Sequence, residues 1–149
     1  MQLTQKETTL LKDLKDQEQL CIDKYTKYSA SASDPQLKNL FTQIATVEQG
    51  HFNTLNQIAG GSVPTMGGGS QQTPTFSAKY SSANSTEKQN DCYLCTDTLT
   101  SEKHVSSLYN TCIFEFKDEQ LRNILNHIQK EEQAHGKMIY DYMQANSMY

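Results

Sequence analysis

Four stretches of the chain carry apolar residues at alternating steps of three and four, the stripe an α-helix presents to a bundle core. The first runs Leu11, Leu14, Glu18, Cys21, Tyr25, Tyr28, and the second Leu37, Phe41, Ile44, Glu48, His51, Leu55, Ile58. The third, weaker at its start, runs Thr98, Glu102, Val105, Tyr109, Cys112, Phe116. The fourth runs Leu121, Leu125, Ile128, Glu132, His135, Ile139, Tyr142. Boundary signals agree with four helices. Asp34-Pro35 supplies an N-cap and a proline at the first helical position, and Asp118 caps the fourth helix. Gly60-Gly61 suits a helix stop. The turns near 30–33 and 117 are short, so each half is predicted to be an antiparallel hairpin.

Between the halves lies a stretch of Gly, Ser, Thr and Gln with two prolines, which composition marks as a partly mobile linker. A helix of ~26 residues is roughly 39 Å long. Spanning that length with extended chain takes at least ~12 residues. The middle segment exceeds this comfortably, so it is long enough to cross from one end of a bundle to the other. The predicted fold class is all-α: a four-helix bundle of two antiparallel hairpins joined by a long crossover. The expected division of a single domain, 1–149, is hairpin 4–59, crossover 60–86, hairpin 87–143 and tail 144–149.

Six positions on these stripes are glutamate or histidine: Glu18, Glu48, His51, Glu102, Glu132 and His135. They fall into two matched sets. Glu48-Gln-Gly-His51 recurs as Glu132-Gln-Ala-His135 at an offset of 84, and the same offset carries Glu18 onto Glu102 and Tyr25 onto Tyr109. Between 34–51 and 118–135, eight of eighteen positions are identical, which makes an internal duplication the economical explanation. Residues three apart share a helix face, so each Glu-x-x-His can bind one metal while its Glu reaches a second. Four carboxylates and two imidazoles balance the charge of two divalent cations. An oxygen-rich set with little imidazole favours iron or manganese over thiolate-type zinc. Burying four unpaired carboxylates costs several kcal/mol each or forces their protonation. The alternatives are solvated helix glutamates, or a core that kept this packing without the metal.

Tyr25 and Tyr109 lie two turns beyond Glu18 and Glu102. They either pack in the core or hydrogen-bond a liganding carboxylate as outer-shell partners. His104 and His127 fall off the stripes and are expected to face solvent. Cys92-Tyr-Leu-Cys95 is a lone CxxC with no second pair to complete a four-cysteine site. It reads as incidental, with oxidation in an assembly left open. Tyr140, Tyr142 and Tyr149 either pack or mediate assembly.

A net charge of -4 and a pI near 5.5 exclude the usual nucleic-acid footprint. No apolar run approaches the ~18 residues of a membrane span, and the polar opening residues show no signal-peptide core. The expectation is a protein made in the cytoplasm, where its four cysteines stay reduced.

The order Glu, Glu-x-x-His, Glu, Glu-x-x-His resembles the ferritin-like superfamily over nearly the whole chain. The segments Asp34-Pro-Gln-Leu-Lys-Asn-Leu-Phe and Asp118-Glu-Gln-Leu-Arg-Asn-Ile-Leu make it most similar to the spore coat protein F family. The resemblance implies a ferritin-like bundle with Glu18 and His51 as terminal ligands of one metal, Glu102 and His135 of the other, and Glu48 and Glu132 bridging. It implies spore coat location, with other coat proteins or copies of the same chain as partners. The alternative it carries is an enzyme: a di-iron or di-manganese oxidoreductase acting on peroxide, dioxygen or Fe(II), like rubrerythrin or manganese catalase. Two departures weigh against an electron-fed peroxidase. Val105 stands where such proteins often add a glutamate, and one CxxC stands where their electron-carrying domain has two.

Overall fold

Each stripe becomes the buried face of a helix. The computed structural model describes residues 1–66, 71–81 and 86–149, and these form α1 (Gln5–Ser31), α2 (Pro35–Ala59), α3 (Thr86–Glu115) and α4 (Glu119–Ala145) with no strand among them. Every stripe residue is buried except Tyr28, which is half-buried. Ala32, Leu40, Leu94, Cys95, Ile124, Met138 and Met143 complete the core.

The ends form as their side chains dictate. Asp34 caps α2 with Pro35 at its first turn, and Asp118 caps α4 by accepting from Leu121 N. At Thr4 a capping box forms with Glu7, each side chain accepting from the other's backbone amide. α2 stops at Gly60-Gly61, where Gly61 takes φ 88°, a conformation that suits glycine. α4 runs two residues beyond the predicted end at 143, to Ala145.

Contacts between helices define the directions. Lys6 pairs with Glu115, and Lys24 and Tyr28 both reach Asp97, so α1 and α3 are antiparallel. Asp34 accepts from Tyr142 at one end of the α2–α4 pair, and His51 meets Glu132 at its middle, so these two are antiparallel as well. α2 and α3 therefore point the same way, and the crossover must travel the length of the bundle.

Its described part is extended and runs back along α2. Gln43 Nε2 donates to Gln72 O at 2.9 Å, and Gln36 exchanges two hydrogen bonds with Ser77. Phe76 packs edge-on against Tyr142, and Lys79 N donates to the buried Asn146 side chain. Composition suggested a loose tether; these attachments, invisible in a run of Gln, Ser and Thr, fasten it to both helices. Residues 67–70 and 82–85 of the predicted crossover lie outside the described residues.

The duplication appears as a two-fold exchange between hairpins. Buried Asp91 on α3 accepts from Ser33 N and Asp34 N in the α1–α2 turn, at 2.9 and 3.0 Å. Buried Glu7 on α1 accepts from Lys117 N in the α3–α4 turn at 2.9 Å. Glu7 and Asp91 are themselves 84 positions apart, as are Ser33 and Lys117. Each hairpin thus satisfies backbone donors of the other's turn, which fixes how the two halves dock.

Candidate metal centre

The six predicted residues meet at the middle of the bundle. Glu18 comes from α1, Glu48 and His51 from α2, Glu102 from α3, Glu132 and His135 from α4, and all six are at most 4% exposed. Three-residue spacing puts the Glu and His of α2, and those of α4, on the same inward face. His51 Nδ1 lies 3.1 Å from Glu48, 2.9 Å from Glu132 and 3.6 Å from Glu18. His135 Nδ1 lies 3.0 Å from Glu48, 3.4 Å from Glu102 and 3.5 Å from Glu132. The imidazole rings stack with centroids 6.0 Å apart.

These donors form two overlapping groups of four. Glu18, Glu48, His51 and Glu132 each offer an atom within 4.8 Å of the others, and so do Glu48, Glu102, Glu132 and His135. Glu48 and Glu132 stand in both groups. Each group holds three carboxylates and one imidazole, a donor set suited to a divalent cation.

The protein alone does not satisfy this cluster. Glu18 Oε2, Glu102 Oε2 and Glu132 Oε2 are buried without a hydrogen-bond partner, and so is His135 Nε2. Orphaned carboxylate oxygens in a dry core are costly. The ionisation pattern carries the same strain. Burial, then repulsion from Glu48, pushes Glu18 up to about 8. Burial, then the charges of Glu102 and Glu48, raises Glu132 well above the carboxylate range. Burial opposes ionisation of Glu48 too, yet hydrogen bonds from Glu18, His135 and His51 hold it well below that range. Burial works against a charge on either imidazole, but the surrounding carboxylates raise both well above the ordinary histidine value. The metal-free centre thus neutralises itself with protons that cations can replace.

Tyr25 and Tyr109 are buried, and their hydroxyls reach across the bundle. Tyr25 Oη donates to Glu102 at 2.5 Å, and Tyr109 Oη donates to Glu18. Both phenols are held protonated, chiefly by burial and then by the facing carboxylate. Their partner is the glutamate of the other hairpin. Orienting a liganding carboxylate in this way typically changes metal affinity 10–100-fold. Tyr25→Phe and Tyr109→Phe are each expected to weaken Mn(II) binding by roughly that factor, measured by titration; unchanged affinity would reduce both tyrosines to packing residues.

Cys21 is buried beside the same carboxylates, which with burial push its thiol far up and keep it protonated. It is not a thiolate donor. Cys92 is half-buried and Cys95 buried, both free, one helical turn apart on α3.

Sequence patterning missed Glu131. This side chain, 20% exposed, lies 3.3 Å from His51 Nε2 and 3.0 Å from His127 Nε2, and accepts from Gln71 at 3.0 Å. Despite partial burial, the contacts with His51, Gln71 and His127 hold it down to about 2. His104 is exposed, as expected, but His127 is half-buried against Glu131 rather than facing solvent. The crossover covers the α2–α4 groove, so residues one position off the stripe are sheltered there. Of the late tyrosines, Tyr142 is core, whereas Tyr140 packs on the exposed Tyr149.

The fold and centre together define an all-α four-helix bundle with a buried carboxylate–imidazole cluster able to hold metal. Residues 90–149, which include nearly all of α3 and the whole of α4, match the family model of the Coat F domain. Over that hairpin the chain resembles the spore coat protein F family. Neither a curated protein nor a solved structure matches the chain. No helix among the described residues is long and apolar enough to cross a membrane.

Proposed function

We propose that this chain is a spore coat protein whose bundle holds a dinuclear metal centre. Two divalent cations, iron or manganese, bind between Glu18, Glu48, His51, Glu102, Glu132 and His135. The observation that carries this reading is the pair of overlapping buried donor groups with their unpartnered carboxylate oxygens. Glu18 and His51 complete one half, Glu102 and His135 the other, and Glu48 and Glu132 serve both. Such a centre, when loaded, supplies Lewis acidity and, with iron or manganese, one-electron chemistry. The chain's own contribution is to hold four carboxylates and two Nδ1 atoms on rigid helices, exclude water, and release protons as cations bind. The likeness to the Coat F domain supports a place in the spore coat, with other coat proteins or copies of this chain as neighbours.

The second reading is an oxidoreductase using the same six residues on peroxide, dioxygen or Fe(II). A pocket that reaches His51 favours it, because turnover needs access from solvent. Elemental analysis after reconstitution with Mn(II) or Fe(II) tests the centre, with about two metals per chain expected from its two donor groups. Steady peroxide dismutation or Fe(II) oxidation by the loaded protein would establish the enzyme. Loaded protein without turnover leaves the structural role.

A further inference from the structure

The two half-sites are related by the duplication, but their surroundings differ in one place. In the α2–α4 groove a pocket of about 300 Å³ opens beside His51, lined by Val47, Gly50, Thr54, His127 and Glu131 among others. All five of these positions break the internal repeat, and three of the differences bear on access and charge. Glu131 corresponds to Val47, His127 to Gln43, and Gly50 to Ala134 in the otherwise matched Glu-Gln-x-His motifs. All three differences favour access and cation binding at one end of the centre. Gly50 leaves open space, with nothing within 4 Å of where a Cβ would stand. His127 and Glu131 are one turn apart on α4 and meet at 3.0 Å, offering an imidazole and a carboxylate together. Glu131 also touches His51 Nε2, on the side of the ring away from the buried donors. In the other half, His135 is fully buried and its Nε2 has no partner at all.

We propose that this pocket is the entrance of the metal centre: a hydrated divalent cation lands on Glu131 and His127 and passes beside His51 into the first half-site. The inference rests on the dinuclear reading above and assigns to it a direction. A carboxylate at the mouth of a cleft attracts cations and speeds their capture. The same carboxylate holds the His51 ring through Nε2, leaving Nδ1 turned toward Glu48 and Glu132. The half-site of His51 therefore fills before that of His135.

The test is the rate of Mn(II) uptake by the metal-free full-length protein, followed by loss of the free-ion EPR signal. Gly50→Leu puts a bulky side chain at the mouth, where a Cβ meets open space, and replacing glycine within a helix favours folding. His127→Gln removes a landing group that is not one of the six central donors, and circular dichroism checks that both variants fold. Both are expected to reach the parent's final stoichiometry with uptake slowed severalfold, in Gly50→Leu because the mouth is narrower and in His127→Gln because a landing ligand is lost. Uptake at the parent's rate in both folded variants would overturn the entrance while leaving the dinuclear centre standing. Absence of uptake in the parent would instead remove the centre, and the entrance with it.

Discussion

Glu48→Ala combined with Glu132→Ala is expected to abolish metal binding, taking the chain from about two metals to near none, because dinuclear carboxylate centres depend on shared ligands. These two residues belong to both donor groups, so their loss disables both halves at once. Single truncation of Glu18 or Glu102 removes a donor from one group only and is expected to leave partial loading. Stability of the metal-free double variant need not fall in step. Glu132 is a buried acid held protonated, and its removal deletes an unsatisfied oxygen along with the carboxyl group. Elemental analysis and thermal unfolding measured on the same preparations separate loss of metal from loss of fold. Retention of about two metals by a folded double variant would place the metal elsewhere.

Metal and pH are expected to act on stability in opposite directions. In the metal-free protein Glu18 is raised from 4.5 to about 8, and both histidines are raised well above 6.5. Groups with raised values bind protons more tightly folded than unfolded. Their stabilisation is complete below the unfolded values, declines as pH rises, and is gone above the folded ones. Glu48 is shifted the other way, so its contribution is present above 4.5 and lost as pH falls toward its depressed value. The metal-free protein should therefore lose stability between about pH 5 and pH 8, the window set by Glu18 and extended upward by the histidines. Cations replace those protons, so metal affinity rises across the same window. At a thousandfold excess over Kd, a ligand specific to the folded state contributes about 4 kcal/mol. For a chain of this size that corresponds to a Tm increase on the order of 10 °C. Thermal scans at pH 5.5 and 8, with and without Mn(II), should show the largest metal-dependent rise at pH 8. A rise that is larger at pH 5.5 would contradict proton replacement at these residues.

The helices and the six central residues were legible in the chain because both follow from periodicity. A Glu on a stripe of Leu, Tyr and Ile is a core residue by spacing alone, and the offset of 84 paired each one with its counterpart. The tyrosine contacts were less legible. Tyr25 shares a face with Glu18 but stands two turns, about 11 Å, along the helix. Antiparallel α3 is what brings Glu102 beside it, and that pairing exists only in the folded bundle. Glu7 and Asp91 obey the same offset, yet their partners are backbone amides of turns, which no side-chain pattern displays. His127 looked solvated, and Glu131 drew no notice, because a single-helix stripe ignores what covers the neighbouring groove. The crossover along α2 decides that exposure, and its attachment rests on glutamine contacts that composition could not reveal.

Anomalous diffraction from crystals of the Mn(II)-reconstituted protein tests the dinuclear centre most directly. The expected result is two peaks inside the bundle. One lies among Glu18, Glu48, His51 and Glu132, and the other among Glu48, Glu102, Glu132 and His135. Peaks confined to surface residues, or none with the six side chains in place, would contradict it.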